Sequence, residues 1–276
     1  MLDSTLEDRN FPSGDPRQLL REGSLVLTEL AALMVTAPFL AGAPRGDGHP
    51  ILVLPGLMAS DQSTEILRGF LTSRGYQSTP WGLGRNMGPT MSNLAARLGA
   101  KFEEAYSKNN HQKISLVGWS LGGVYARLLA HFYPDKVRNV ITLGSPYRSS
   151  SHSASEHTQR QGSAGGPTEG YSIHDLRQLA GVAVDNIPTT SIFSRQDIVV
   201  PWQIATEPTG PFTENIEVSG SHFGFGFSPA VLFAIADRLA IAEGKWRPFR
   251  RKGWKRFVYG SANLEPKAKT RGSANG

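Results

Sequence analysis

The sequence predicts an α/β domain with a mostly parallel central sheet that is covered by helices on both faces. Three observations support this class. Short, continuous apolar runs recur along the chain, which is typical of strands that are buried on both faces. Segments with apolar residues at helical spacing separate these runs. The resulting alternation of strand and helix predicts parallel strands joined by helical crossovers.

The first half of the domain contains three predicted strands, and the third leads into the glycine-rich turn described below. The elements, in order, are a strand at Ile51–Leu54, a helix at Ser63–Ser73, a short edge-like strand around Tyr76–Thr79, a helix from Thr90 to about Ser107 and a strand at Ile114–Val117. The segment 81–89 carries glycines at a spacing that resembles a dinucleotide-binding loop. No helix starts inside it and Pro89 follows at once, so a loop on the substrate side is the favoured interpretation.

The second half continues the same alternation. Its elements are a helix at Val124–His131, a strand at Val137–Leu143, a helical pattern at Tyr171–Val184, a strand at Thr189–Phe193, a last strand at Asn215–Ser219 and a final helix at Pro229–Ala242. Residues 147–168 are rich in serine, glycine and histidine and nearly lack apolar residues. This composition predicts an insertion at about 146–186 that forms a short cap over the active site.

These patterns divide the 276 residues into a helical extension (1–44), an α/β domain (45–242) and a basic tail (243–276). The chain has no cysteine, which excludes disulfides, a cysteine nucleophile and thiolate metal sites. The histidines of the insertion (His152, His157 and His174) lack accompanying carboxylates, so no metal site is predicted.

The net charge of +6 originates in the tail, which holds ten basic and two acidic residues. Aromatic residues are interleaved with the basic ones. Such a segment is expected to pack its aromatic part back on the domain, with an anionic membrane surface as the alternative. Nucleic acid is a third and less favoured partner. The last stretch, 265–276, has the composition of a disordered end.

The N-terminal region lacks the basic segment of a secretory signal, so a cytoplasmic location is expected, with membrane association left open. Residues 25–43 are apolar and about long enough to span a bilayer. Polar residues interrupt them and Pro38 would bend them, so an amphipathic helix packed on the domain is favoured over a membrane anchor.

The pattern Gly118-x-Ser120-x-Gly122 stands between a predicted strand and a predicted helix. A turn this tight exposes its central side chain, and it requires small residues at the flanking positions because strand and helix crowd there. The helix N-terminus supplies backbone N–H groups and a positive partial charge. This context indicates a serine nucleophile beside an oxyanion site.

A serine nucleophile needs a base, and the base needs an orienting group. Asp197 and His222 each follow a predicted strand, as Ser120 does, so all three should reach one edge of the sheet. The competing acid, Asp185, precedes its strand. Of the competing bases, His111 precedes a strand and His131 lies on a helix. The sequence therefore predicts a catalytic triad in the chain order serine, acid, histidine.

With these motifs the sequence resembles the α/β-hydrolase superfamily, and most closely its bacterial esterase and lipase-like members with a compact cap. The resemblance covers about residues 48–242 and rests on Leu54-Pro55-Gly56-Leu57 and on the segments around the three triad residues. It implies an oxyanion hole built from the backbone N–H groups of Leu121 and Leu57. Many relatives have His-Gly where this chain has Pro55-Gly56, but the donor is a backbone N–H, so the oxyanion hole does not depend on this difference.

A serine nucleophile predicts acyl transfer through an acyl-enzyme, with no metal or organic cofactor. Apolar residues near the site suggest an apolar acyl or alcohol group in a small-molecule or lipid ester. The predicted substrate contacts are Met58, Trp81, Trp119, Trp202 and Phe223. The sequence leaves an acyltransferase with the same triad, and a catalytically silent binding protein, open as alternatives.

Overall fold

The computed structural model describes residues 40–148, 173–208 and 210–260. Its strands are β1 (Pro50–Leu54), β2 (Gln77–Pro80), β3 (Ile114–Trp119), β4 (Val137–Leu143), β5 (Thr189–Phe193) and β6 (Thr213–Glu217). They form one six-stranded sheet in the order β2-β1-β3-β4-β5-β6, and every neighbouring pair is parallel. The predicted fold class is confirmed.

The helices are α1 (Glu65–Ser73), α2 (Leu94–Lys108), α3 (Leu121–Phe132), α4 (Ile173–Gly181), α5 (Pro229–Leu239) and the short α6 (Lys255–Val258). Side chains alternate across the sheet, since successive residues of a strand point to opposite faces. Ile51 and Val53 of β1 pack with α1 and α5 on one face. Leu52 and Leu54 pack with α2 and α3 on the other face.

Most elements differ from their predicted bounds by one to four residues, and β6, α2 and α5 are examples. β6 begins and ends two residues earlier than the predicted strand at 215–219. α2 begins at Leu94 rather than at residue 90, because Gly88–Thr90 form a separate turn of 3₁₀ helix and Asn93 has a positive φ of 51°. α5 ends at Leu239, three residues before the predicted end. Sequence patterns predict the presence of a helix or strand more accurately than the residues at which it begins and ends.

The insertion falls mostly outside the described residues, which lack 149–172, but both of its flanks are described. α4 packs on α3 through an apolar cluster that includes Val124, Leu128, Tyr147 and Ala180. Arg127 of α3 is fully buried beneath this cluster. The described end of the insertion therefore lies against the helix that follows Ser120.

The guanidinium of Arg127 holds both flanks of the insertion. It donates to the carboxylate of Glu207 and to the carbonyls of Ala180 and Val182. The Tyr147 ring lies 4.1 Å from the same guanidinium. Burial raises the pKa of Glu207, and the neighbouring Arg127 acts in the opposite direction. One buried cation thus joins the two places where the insertion leaves and rejoins the sheet domain.

Most of the predicted helical extension (1–44) and the end of the tail lie outside the described residues, which lack 1–39 and 261–276. The first part of the tail packs on the sheet domain, where the Phe249 and Tyr259 rings meet edge to face at 4.8 Å and the Tyr259 hydroxyl donates to the carbonyl of Ala230. None of the helices in the described ranges combines the length and the apolar character needed to cross a membrane.

Candidate active site

Ser120 lies in the turn between β3 and α3 with a φ of 52° and a ψ of −123°. This combination of angles is strained for a residue other than glycine, and such strain clusters at functional sites. The turn depends on the two glycines at ±2. A Cβ on Gly118 would lie 2.4 Å from the backbone of Gly122 and Gly123, and a Cβ on Gly122 would lie 2.2 Å from the carbonyl oxygen of Leu54. The sequence motif thus forms the predicted strand–turn–helix.

The backbone of Ser120 is fixed from both sides. Its N–H donates to the carbonyl of Leu143 at the end of β4 (2.8 Å), and its carbonyl accepts from Gly123 N–H (2.9 Å). Leu121 is the first residue of α3. Its N–H therefore has no partner within the helix and lies at the positive end of the helix dipole, directly after Ser120.

His222 and Asp197 form a buried pair at the carboxyl edge of the sheet. His222 Nδ1 lies 2.7 Å from Asp197 Oδ2, and the two residues are 4% and 9% exposed. Asp197 Oδ1 accepts hydrogen bonds from the backbone N–H groups of Val199 (2.9 Å) and Val200 (2.8 Å). The carboxylate is therefore held by the loop after β5 and has one oxygen left for the imidazole.

Two contacts place this pair beside the serine turn. Trp119, which precedes Ser120, donates its indole N–H to the carbonyl of His222 (3.1 Å). Gly144 follows the carbonyl that holds Ser120 and has a φ of 50°, and a Cβ there would lie 3.0 Å from Asp197 Oδ2. Among the described residues no hydrogen bond joins Ser120 Oγ to His222. Such bonds are often long before substrate binds.

The loop after β1 lies against the serine. A Cβ on Gly56 would be 3.2 Å from Ser120 Cβ. Met58, next to the predicted donor Leu57, has a positive φ of 60°. Leu57 and Met58 are 40% and 53% exposed. The predicted oxyanion loop is thus at the serine, and its apolar side chains face outward.

The predicted substrate contacts divide into two groups. Met58 and Phe223 are half exposed, at 53% and 50%, on the loops beside Ser120 and His222. Trp202 is partly buried, and the Arg195 guanidinium lies 4.1 Å from its ring.

Two of the predicted contacts need correction. Trp81 is fully buried in the core on the α2–α3 face, with its indole N–H bonded to the carbonyl of Gly84, so it does not face a substrate. Trp119 is 9% exposed, and its indole N–H holds His222. Sequence reasoning identified both as large apolar residues near the site, but it could not give their direction.

Asn86 is a residue that the sequence did not single out. It is fully buried, and its side-chain amide donates to the carbonyl of Pro55 in the loop after β1. Nothing in the local sequence marks it, because it is one polar residue in a glycine-rich loop and its partners are about 30 residues away.

A second serine–histidine–aspartate set occurs at the opposite, amino-terminal edge of the sheet. His49 Nδ1 lies 2.5 Å from Asp47 Oδ1, and His49 Nε2 lies 2.7 Å from Ser115 Oγ. Ser115 stands within β3 and is fully buried, and His49 is 4% exposed. Ser115 is fully buried within a strand, and in the described residues no helix begins beside it, so the set is a buried hydrogen-bond chain.

Burial and hydrogen bonding act in opposite directions on the pKa values of His49 and Asp47. It lowers the pKa of His49, although the hydrogen bond to Asp47 opposes the shift. The pKa of Asp47 is held well below its usual range: burial acts to raise it, but hydrogen bonds from His49 and Arg138 outweigh that effect. His49 thus joins a surface carboxylate to a buried hydroxyl, and burial favours the neutral form of its imidazole.

The competing acid and bases are remote from Ser120. Asp185 precedes β5 and lines a cavity of about 550 Å³ at the amino-terminal edge of the sheet. His131 lies at the end of α3 with Nε2 3.2 Å from the carbonyl of Val182, and His111 packs edge to face on Tyr106. Within the described ranges no group of histidines and carboxylates is arranged to hold a metal ion.

Comparisons with known proteins agree with the parallel α/β fold. A family model described as "alpha/beta hydrolase fold" matches residues 67–173. A lipase from Bacillus licheniformis, BlEst2 in its mature form, is 17% identical with a TM-score of 0.51, over 72% of this chain and 95% of that one. A monoacylglycerol lipase from Paleococcus ferrophilus is 16% identical with a TM-score of 0.50, over 71% of this chain and 96% of that one.

An α/β superfamily hydrolase from Oenococcus oeni PSU-1 is 17% identical with a TM-score of 0.49, over 70% of this chain and 91% of that one. At these identities the two lipases, with TM-scores of 0.51 and 0.50, show a shared fold and no more. The family model covers β3, α3 and β4 with the serine turn between them. Together with the parallel sheet, the match to the family model shows that the chain has the α/β-hydrolase fold.

Proposed function

We propose that the chain is an esterase or lipase-like serine hydrolase that cleaves carboxylic esters, with Ser120 as nucleophile, His222 as general base and Asp197 as orienting acid. The observation that carries this proposal is the buried His222–Asp197 pair (2.7 Å) beside a serine with positive φ at a helix N-terminus. A structural serine has no need of a strained turn at a helix N-terminus, so the setting of Ser120 supports its role as nucleophile.

The histidine is set up to accept a proton. When the imidazole donates through Nδ1 to Asp197, Nε2 carries the free lone pair. Ser120 Oγ attacks the ester carbonyl carbon as Nε2 takes the hydroxyl proton. The C–O bond to the alcohol then breaks, and the departing oxygen receives that proton from the imidazolium. Asp197 stabilises the imidazolium while it exists.

The resulting acyl-enzyme is hydrolysed by the same groups. Water gives a proton to His222 Nε2 and attacks the acyl carbon, and Ser120 leaves with the proton returned. In both steps negative charge develops on the carbonyl oxygen. The N–H of Leu121 at the start of α3, with Leu57 as second donor, supplies the stabilisation.

Exposed apolar side chains near the serine favour an apolar acyl or alcohol group. Leu57, Met58, Met87 and Phe223 are each at least 40% exposed. Leu57 Cδ1 lies beside Gly88, so the Leu57–Met58 loop and the Met87 loop are neighbours. An apolar ester would cover these side chains on binding, which is favourable in water.

Hydrolysis of p-nitrophenyl esters from short to long acyl chains tests the proposal. Wild-type turnover should peak at one chain length, and Ser120→Ala should lower kcat by about 10⁴-fold or more. Ser115→Ala is the matched control, because it removes the hydroxyl of the second set. We expect it to keep wild-type kcat.

Equal turnover by wild type and Ser120→Ala would reject the assignment. Turnover that appears only when an alcohol or amine acceptor is added would indicate an acyltransferase with the same triad. Absence of turnover on every ester and acceptor would favour the silent binding protein.

A further inference from the structure

Asn86 joins the loop after β1 to the rest of the site. Its backbone carbonyl accepts from Met58 N–H (2.7 Å) and its own N–H donates to the carbonyl of Ala59 (2.8 Å). Its side-chain Nδ2 donates to the carbonyl of Pro55 (2.9 Å). Three hydrogen bonds from one residue therefore hold both sides of Leu57.

The other end of the Asn86 amide is also bonded. Oδ1 accepts from Gly88 N–H (3.0 Å) and, more distantly, from the Tyr125 hydroxyl of α3 (3.4 Å). Because Asn86 is fully buried, its amide has no water to replace a lost partner. The amide is thus a rigid bridge between the two loops beside Ser120.

This bridge holds a strained backbone conformation at Met58. Met58 has a φ of 60°, a conformation that a methionine adopts only when its surroundings impose it. Met58 directly follows Leu57. Its φ therefore contributes to the path of the loop that bears the Leu57 N–H. The hydrogen bonds at Pro55, Met58 and Ala59 are the contacts that impose it.

We propose that Asn86 is a positioning residue that aims the Leu57 N–H at the developing oxyanion. This inference rests on the function proposed above. A donor turned away from the transition state weakens charge stabilisation there and leaves substrate binding nearly unaltered.

The test compares Asn86→Asp, which lacks the donor to Pro55, with Tyr125→Phe, which removes only the 3.4 Å contact to the same amide. Active sites are titrated with a fluorophosphonate so that kcat refers to folded enzyme. Asn86→Asp should lower kcat by about 10²-fold with KM changed less than about threefold. Tyr125→Phe should keep both values.

An unchanged kcat per titrated site in Asn86→Asp would overturn the role of Asn86 alone. A rise in KM with kcat intact would also overturn it, because it would indicate a binding or structural role. Lack of wild-type turnover that depends on Ser120 would overturn the proposed function, and this inference with it. If Asn86→Asp does not fold, Asn86→Ser is measured against the same criteria.

A second inference rests on the tail and is independent of the catalytic proposal. Residues 245–260 contain seven basic and no acidic residues. The segment is anchored by buried Tyr259, by Phe249 N–H donating to Glu214 (2.6 Å) and by Gly260 N–H donating to the carbonyl of Glu217 (2.9 Å). It is therefore a fixed part of the domain surface.

The segment also presents apolar side chains to solvent. Phe257 is 79% exposed, Val258 is 40% exposed and Trp254 is 38% exposed. Exposed basic residues surround them: Arg250, Arg251, Lys252 and Arg256. We define these seven residues as the basic–aromatic surface.

We propose that the basic–aromatic surface binds an anionic lipid bilayer. Basic groups are attracted to anionic headgroups, and a protruding apolar cluster gains by entering the acyl boundary. Nucleic acid would also attract the charges, but an aliphatic side chain such as Val258 offers no face for a base to stack on. The lipid surface uses both properties of the patch.

Sedimentation of the full chain with vesicles tests this. Vesicles of phosphatidylcholine with about a third phosphatidylglycerol should bind the chain, and pure phosphatidylcholine should bind it much less. Phe257→Ser and the double variant Arg250→Gln/Lys252→Gln should each weaken binding about tenfold. Arg97→Gln/Lys108→Gln on α2, which removes the same charge elsewhere, should bind like wild type.

Equal binding to both vesicle types would overturn the proposal. So would unchanged binding of the two surface variants, because the basic residues after 260 would then carry the attraction. Binding to an oligonucleotide with no binding to anionic vesicles would assign the surface to nucleic acid instead. Ester turnover in solution is expected to be the same in all these variants.

Discussion

The two edges of the sheet carry the same three side-chain types in different settings. At the carboxyl edge, His222 pairs with Asp197 beside a serine with positive φ. At the amino edge, His49 bonds to both Asp47 and Ser115 within regular or buried structure. The amino-edge set has the shorter and more complete hydrogen-bond chain. What distinguishes the carboxyl edge is an exposed turn, a helix N-terminus and an open loop, so the setting and not the residue set indicates catalysis.

Replacement of the histidine in each set should produce the largest difference in kcat between the two sets. His222→Ala is expected to lower kcat on the best ester by about 10⁴-fold or more, because the serine loses its base. His49→Ala should leave kcat nearly unchanged and lower the unfolding temperature. Kinetics and thermal unfolding of both variants measure this, and a large loss of kcat in His49→Ala would contradict the comparison.

Replacement of the aspartate in each set should give the next largest difference in kcat. Asp197→Asn keeps the shape but alters the tautomer of His222, so kcat should fall by about 10³- to 10⁴-fold. Asp47→Asn should alter kcat little, since its partner histidine contacts no reacting group. Similar losses in the two variants, measured on the same ester, would show that the sets are not functionally distinct.

Glycine substitution tests the turn on which the comparison depends. Gly122→Ala would place a Cβ 2.2 Å from the carbonyl oxygen of Leu54, so we expect a loss of about 3 kcal/mol in the free energy of unfolding or a failure to fold. Gly69→Ala on α1 is the control, because nothing lies within 4 Å of its Cβ. It should gain about 0.5–1 kcal/mol in urea unfolding. A neutral Gly122→Ala would show that the turn can relax.

Acid should weaken the fold through its buried neutral histidines. Burial lowers the pKa of His49, and burial with the nearby Arg127 charge lowers the pKa of His131 to about 4. Below about pH 6.5 the unfolded chain therefore binds more protons than the folded chain, so the free energy of unfolding falls as pH is lowered towards 4. The loss from His131 is at most about 3 kcal/mol.

Urea unfolding at pH 7 and pH 5 measures this dependence. His131→Gln and His49→Gln should each show a smaller drop between the two pH values than wild type. A drop of the same size in both variants would mean that other groups cause the acid sensitivity.

The fold and the site outline could be predicted because they depend on local patterns. Apolar runs reveal buried strands, and Gly118 and Gly122 reveal the turn directly. His49 could not be predicted as a buried residue, because its position depends on Ser115, 66 residues away. The direction of Trp81 and the bridging role of Asn86 depend in the same way on contacts that close only in the folded chain.

The buried Arg127 has a consequence for how this chain can be altered. Because one guanidinium contacts both Tyr147 and the carbonyls of Ala180 and Val182, the entry and the exit of the insertion are already brought together. Doubling the length of a segment between fixed ends costs only about 0.6 kcal/mol in closure entropy. We therefore expect that residues 149–172 can be replaced by a sequence of different length. The sheet domain and its serine turn should keep their structure.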